Sequence, residues 1–326
     1  MAAEVLCLRP AADFARVGVT PPDALTIHFR APDAEDVPVL MRRVQGLVIP
    51  AVGPVLPASL FDSSAVRVVQ VTGAGVDRLD RAAMEAMGIP VCNVPGGSNA
   101  ALAEYAVSSA LFLLRRFGES SRLLRAGDYA GHRATLLKAL PPGLGGLTVG
   151  VVGLGAIGLD VARAFRAMGA RLIYADPAPR DPAAAAALGA EARPLEVLLA
   201  ESDVVTLHIP LLPATRGLIG AREIAAMKPG AVLIQAARGG IVDEQALAAA
   251  LESGHLGGAA VDVHEAEPPS PDAPLFHVSD AAAARLILSP HIAGVTRQSW
   301  ATLFENAWSN ILRVVRDGAA PTNRVY

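Results

Sequence analysis

Three stretches hold residue types that could do chemistry together: Arg238 in LIQAARGGIVDE, an acidic residue in GGAAVDVHEAEPP, and His291 in LSPHIAG. Each follows an apolar run. Arginine is costly at the end of a buried strand, so its place calls for a ligand or a partner. Its permanent charge and planar fork suit a carboxylate. Ala236, Ala237, Gly239 and Gly240 around it leave room for one near the backbone. The next stretch supplies Asp262, His264, Glu265 and Glu267, and the last supplies His291. An Arg, a Glu and a His at successive strand ends could form one site for an acid that carries an oxygen beside its carboxylate. The Arg holds the carboxylate and polarises the neighbouring carbonyl. The His gives or takes a proton at that oxygen, and the Glu orients the His and stabilises its charged form. Singly, each signal has a plainer reading. A Glu beside Pro268 and Pro269 can be a loop carboxylate, His291 a core histidine, and Arg238 a helix-capping charge.

Such chemistry needs a hydride carrier, and TVGVVGLGAIGLDVARAF offers a place for one. Its GxGxxG is Gly153, Gly155 and Gly158, after an apolar run and before an apolar-periodic segment. Asp176 ends the next apolar run, 18 residues past Gly158. Gly153 permits a tight turn, Gly155 lets amides approach a pyrophosphate, and Gly158 lets helix and strand pack closely. Asp176 can accept from both adenosine ribose hydroxyls and would repel a 2′-phosphate, so NAD is favoured over NADP. Arg180, four residues on, is a mild signal the other way.

The elements that must position these residues alternate as in an α/β protein. Strands are expected at 4–8, 25–29, 46–49, 66–71 and 89–92, then at 147–153, 171–176, 204–209, 231–236, 257–263 and 286–289. The second series is almost continuously apolar, as strands buried on both faces should be. Helices are expected at 157–168, 182–190, 223–227, 243–253 and 300–316. The run at 100–114 is read as a helix buried on most sides. Domain crossings are expected near 94–99 and 291–297. The 52 % hydrophobic and 18 % charged composition can build large cores, and the net charge of -3 gives no basic surplus for nucleic acid. The two cysteines are too few for a disulfide framework, and the histidines lack metal-ligand spacing, so no metal is expected. No signal peptide and no membrane span are read, which makes a cytoplasmic location the expectation.

The motifs TVGVVGLGAIG, SDVVTLHIPLLPAT, MKPGAVLIQAARGGIVDEQALAAAL, AAVDVHEAEP and LSPHIAG together resemble those of the D-isomer-specific 2-hydroxyacid dehydrogenases. The likeness runs from VTGAGVDRLD (71–80) to PHIAGVT (290–296). It implies a NAD-dependent oxidoreductase of small D-2-hydroxy acids or 2-oxo acids, with Arg238 as carboxylate binder and Glu267, not Glu265, paired with His291 as acid/base. It implies cofactor contacts from Gly155, Ala156, Ile157, Asp176, Pro177, His208, Ile209, Pro210, Thr215, Ala236, Arg238, Asp262, His291 and Gly294. The backbone of Thr72, Gly73, Ala74, Gly75 and Val76 would line the substrate carboxylate. The implied fold is α/β with two Rossmann-like parallel-sheet domains: a flavodoxin-like substrate domain from 1–96 and 296–326, and a NAD-binding Rossmann domain inserted at 97–295. A homodimer is implied too.

One departure stands in the opening stretch, where the family usually has Asn and this chain has Gln235. A second reading, a NAD(H)-sensing dimeric scaffold of corepressor type, keeps the same Arg, Glu and His without turnover. Which acid is the substrate is left open. GLVIPAVG (46–53) favours an uncharged side chain, while Arg42 and Arg43 keep a phosphorylated or dicarboxylic one in view.

Overall fold

A computed structural model describes residues 3–178 and 180–326. The chain divides into two compact units, Met1–Ser98 with Val295–Tyr326, and Asn99–Gly294. The first boundary falls where the long helix Asn99–Leu114 begins.

The first unit holds five short strands: β1 (Ala3–Cys7), β2 (Leu25–Phe29), β3 (Gly46–Ile49), β4 (Val68–Val71) and β5 (Val91–Cys92). All pair parallel, in the order β2-β1-β3-β4-β5. That is the flavodoxin-like order. The strands are short Val/Ile/Leu runs with β3 and β4 wholly buried, so both faces need cover. The C-terminal helix Arg297–Val315 covers one face, placing Phe304, Trp308 and Ile311 against Val5, Val48 and Val68. Asn310, buried on that helix, donates 2.6 Å to Gln70 of β4. The chain end then joins the sheet, with Val325 N donating 2.8 Å to Val91 O. Both chain ends therefore build one core.

The second unit holds β6 (Thr148–Val152), β7 (Arg171–Ala175), β8 (Ala190–Ala192), β9 (Val204–Leu207), β10 (Val232–Gln235), β11 (Gly258–Val261) and β12 (Leu286–Leu288). These strands are also parallel, in the order β12-β11-β10-β9-β6-β7-β8. Strand order reverses between β6 and β9, which opens a crevice at their carboxyl ends. The long helix lays an alanine face, Ala103, Ala106 and Ala110, on this sheet.

Two expectations change. The run 182–190 is not one helix: helix Pro182–Ala187 stops, Gly189 takes φ 63°, and Ala190–Ala192 becomes an edge strand. Glycine adopts that left-handed turn freely, and it outweighs the alanine propensity around it. Helices Phe117–Arg125 and Tyr129–Ala139 have no counterpart in the sequence reading. Between them they bury only His132, so neither adds a run of buried apolar positions to the sequence.

Candidate active site

The crevice between β6 and β9 is shaped by its glycines. Gly153 has φ 94°, and a Cβ there would lie 2.6 Å from His208 O on the neighbouring strand end. A Cβ on Gly158 would lie 2.0 Å from Gly153 O. Both positions therefore exclude any side chain. Gly155 differs: a Cβ there would meet nothing within 4 Å. Its missing side chain leaves open space at the start of helix Ala156–Ala167, where no side chain caps the free amides. Unpaired N–H groups at a positive helix end, behind an open cradle, fit a pyrophosphate. Asn99 fixes this turn, its Nδ2 donating 3.0 Å to Ala156 O and 2.8 Å to Asp160 Oδ2.

Asp176 follows β7 and meets the same turn. Its carboxylate accepts from Leu154 N at 2.8 Å and Ala178 N at 2.9 Å. Arg180 holds it bidentately, Nε at 2.6 Å and Nη2 at 3.1 Å. Burial would raise the Asp176 pKa, but the Arg180 bond and the two amides outweigh it and hold the carboxyl below its usual value. Across the crevice, burial pushes His208 down to about 4, so its half-buried ring is neutral at pH 7. Thr206 Oγ1 stands 2.8 Å from its Nε2. Thr215 is occupied within its own loop, donating 2.7 Å to Pro210 O and accepting from Leu212 N at 2.7 Å. Ile209 is buried between these loops, and Pro210 is exposed.

At the end of β10 the buried Gln235 turns back on its own loop. Its Nε2 donates 2.7 Å to Arg238 O, and its Oε1 accepts from Ala237 N at 3.2 Å. Arg238, half-buried, donates through Nη1 to Ala237 O at 2.7 Å. A Cβ on Gly239 would lie 1.7 Å from His264 O, so only glycine lets the Arg238 loop close on the loop after β11. Glu244 secures that contact, its buried carboxylate accepting from Glu265 N at 2.9 Å. Glu265 thus lends a backbone donor, and its carboxylate has no part in the pairing described next.

Glu267 spans two segments. Its Oε1 accepts from His264 N at 3.2 Å, and its Oε2 lies 2.8 Å from His291 Nδ1. Both side chains are about a quarter exposed (24 % and 29 %), so the pair reaches solvent. His291 has φ 55°, which a non-glycine residue keeps only when its surroundings insist. Asp262 supplies that insistence. Its carbonyl accepts His291 N at 2.7 Å, and its carboxylate accepts Ile292 N and Ala293 N, both at 2.8 Å. Ser289 Oγ donates to the same carboxylate at 2.6 Å and stands 2.9 Å from Tyr105 Oη on the long helix. Tyr105, Ser289 and Glu244 were not singled out from the sequence; only Glu244, an acid at a helix start beside the Arg238 loop, carried a signal.

In the first unit, Thr72 to Val76 follow β4. Thr72 N donates 2.8 Å to Ile49 O, Val94 N 2.9 Å to Gly73 O, and Asn93 Nδ2 2.7 Å to Ala74 O. Buried Arg78 donates to Pro50 O and Pro54 O at 3.0 and 2.8 Å, which holds the 50–54 loop. Among the described residues no three His, Cys, Asp or Glu side chains gather as a metal site.

A seven-stranded doubly wound sheet with a glycine crevice at its switch point defines a dinucleotide-binding protein. Residues 107–293 match the family described as D-isomer specific 2-hydroxyacid dehydrogenase, NAD binding domain. The chain belongs to the D-isomer specific 2-hydroxyacid dehydrogenases, and NAD is its cofactor. It is 41 % identical over 242 residues to (S)-sulfolactate dehydrogenase of Chromohalobacter salexigens, covering 72 % of each chain. It is 36 % identical over 234 residues to D-3-phosphoglycerate dehydrogenase of Archaeoglobus fulgidus, covering 72 % of this chain but only 42 % of that protein. The crystal structure of a glyoxylate reductase from Paecilomyes thermophila superposes with a TM-score of 0.82 at 27 % identity, over 99 % of this chain and 98 % of that one.

Proposed function

We propose that this protein interconverts a small 2-oxo acid and the matching D-2-hydroxy acid with NAD(H), as a cytoplasmic homodimer. One observation carries the reading: His291 Nδ1 is held 2.8 Å from Glu267, on a loop fixed by Asp262 and beside the glycine-packed Arg238 loop. With Nδ1 engaged, Nε2 is the atom left to exchange a proton. In reduction, Nε2–H of His291 delivers its proton to the carbonyl oxygen, and Glu267 keeps the ring in line. In oxidation, neutral Nε2 removes the hydroxyl proton. Arg238 pairs with the substrate carboxylate and draws electron density from the adjacent carbonyl. The backbone of Thr72, Gly73, Ala74, Gly75 and Val76 is the first unit's contribution to carboxylate binding in this reading. When bound, the nicotinamide supplies or accepts the hydride.

Gly155, Ala156 and Ile157 hold the pyrophosphate, with Asp176 and Pro177 toward the adenosine end. His208, Ile209, Pro210, Thr215, Ala236, Asp262 and Gly294 line the rest of the cofactor's path. The oxo acid's own side chain is uncharged in this reading. Arg43 is drawn to Glu4 at 3.2 Å, Arg78 gives its Nε and Nη1 to backbone carbonyls, and the 46–53 stretch carries no charge.

A panel of 2-oxo acids, including glyoxylate, pyruvate and branched-chain members, tests the reading through NADH consumption. Turnover of at least one small monocarboxylic 2-oxo acid is expected. No turnover on any of them, with NADH binding intact, would sink it.

A further inference from the structure

The carboxylate that should select the adenosine ribose has no acceptor to spare. A carboxylate offers about four acceptor sites. On Asp176 they are taken by Leu154 N, Ala178 N, Arg180 Nε and Arg180 Nη2. Its side chain is 2 % exposed while that of Arg180 is 35 % exposed, so Arg180 is what covers it. A ribose diol can reach those oxygens only by lifting Arg180 away.

Arg180 is less fully used. A guanidinium has five N–H donors. The Asp176 pairing takes one from Nε and one from Nη2, which leaves both on Nη1 and one on Nη2 for another anion. Those donors border a pocket of about 390 Å³ that Tyr174, Asp176, Arg180, Ala192 and Arg193 help to line. Arg193 enters from the loop after β8. It donates to Ala192 O at 2.9 Å and to Glu191, itself half exposed, at 2.5 Å. An exposed pair of that kind is weak and yields readily to a stronger anion.

We propose that Arg180 is a cofactor-selectivity residue: it screens Asp176 from the ribose and, with Arg193, forms a subsite for a 2′-phosphate, so that the protein takes NADPH as well as NADH. The two arginines answer the phosphate's charge of about −1.5 to −2 with planar forks. Asp176, neutralised by Arg180, no longer repels it. Selectivity here is set by the pair and not by the acid alone.

The proposal rests on the dinucleotide site described above, so its test avoids turnover. Calorimetric titration of the whole protein with ADP-ribose and with 2′-phospho-ADP-ribose gives their affinity ratio in the wild type, Arg180→Ala and Arg180→Lys. The wild type should bind the two within about tenfold, a difference of about 1.4 kcal/mol. Arg180→Ala, which bares Asp176, should move the ratio by about tenfold or more toward ADP-ribose, with Arg180→Lys in between because it keeps the charge but loses the fork. The proposal falls if the wild type prefers ADP-ribose by more than about tenfold, or if Arg180→Ala moves the ratio by less. If neither fragment binds, the dinucleotide site fails with it.

Discussion

Gln235 takes the place of an asparagine usual in this family, and its extra methylene has a use. From the end of β10 it reaches both Arg238 O and Ala237 N, closing a ring around the residue that presents the guanidinium. Gln235→Ala removes both bonds and should cost about 1–3 kcal/mol of stability, read from urea unfolding. Gln235→Asn should recover part of that cost, and equal loss in both variants would contradict the tether. Arg238→Ala should raise KM for the oxo acid and lower turnover while NADH affinity holds. A collapse of NADH binding would mean that Arg238 serves the cofactor instead. These residues were legible in the sequence as types at strand ends. Their partners were not, because a hydrogen bond such as Glu265 N to Glu244 leaves no trace in periodicity or spacing.

At the scale of elements, the His291 loop is held by a chain that runs from Tyr105 on the long helix through Ser289 to Asp262. Asp262 meets only donors there, so an amide in its place would point N–H at N–H. Asp262→Asn should lower turnover far more than Tyr105→Phe, which removes only the outermost link. Similar losses in the two, measured at saturating NADH, would argue against the chain. A second element-scale consequence concerns β9. His208 is pushed down to about 4 from an ordinary 6.5, so the unfolded chain takes up this proton first as pH falls. Stability should therefore drop between pH 6.5 and 4 and level off below, and His208→Gln should flatten that part of the profile. An unchanged profile in urea unfolding would contradict the neutral, half-buried ring. Strand positions were readable from continuous Val/Ile/Leu runs, since burial on both faces writes itself into the sequence. The edge strand Ala190–Ala192 and the exposed helix Tyr129–Ala139 bury too little to do so.

At the scale of the whole molecule, the first unit is closed by its far ends. Asn310 and Gln70 meet in its core 240 residues apart, and Thr322 N donates 2.8 Å to Asn310 Oδ1. Asn310→Ala should lower the stability of that unit by about 1–3 kcal/mol, because the buried Gln70 Oε1 loses its donor and the Thr322 turn loses its anchor. The unfolding transition of the Asn99–Gly294 unit should move less, and equal shifts of both would show that they do not unfold separately. The tie was invisible in the sequence, where Asn310 reads as one more polar residue on an amphipathic helix. The central claim, that His291 is the acid/base of a 2-oxo acid reductase, is tested most directly by His291→Asn with kcat and NADH affinity measured side by side. The account predicts a fall in kcat of about 10²–10⁴ with NADH binding unchanged. A kcat within about tenfold of the wild type would contradict it.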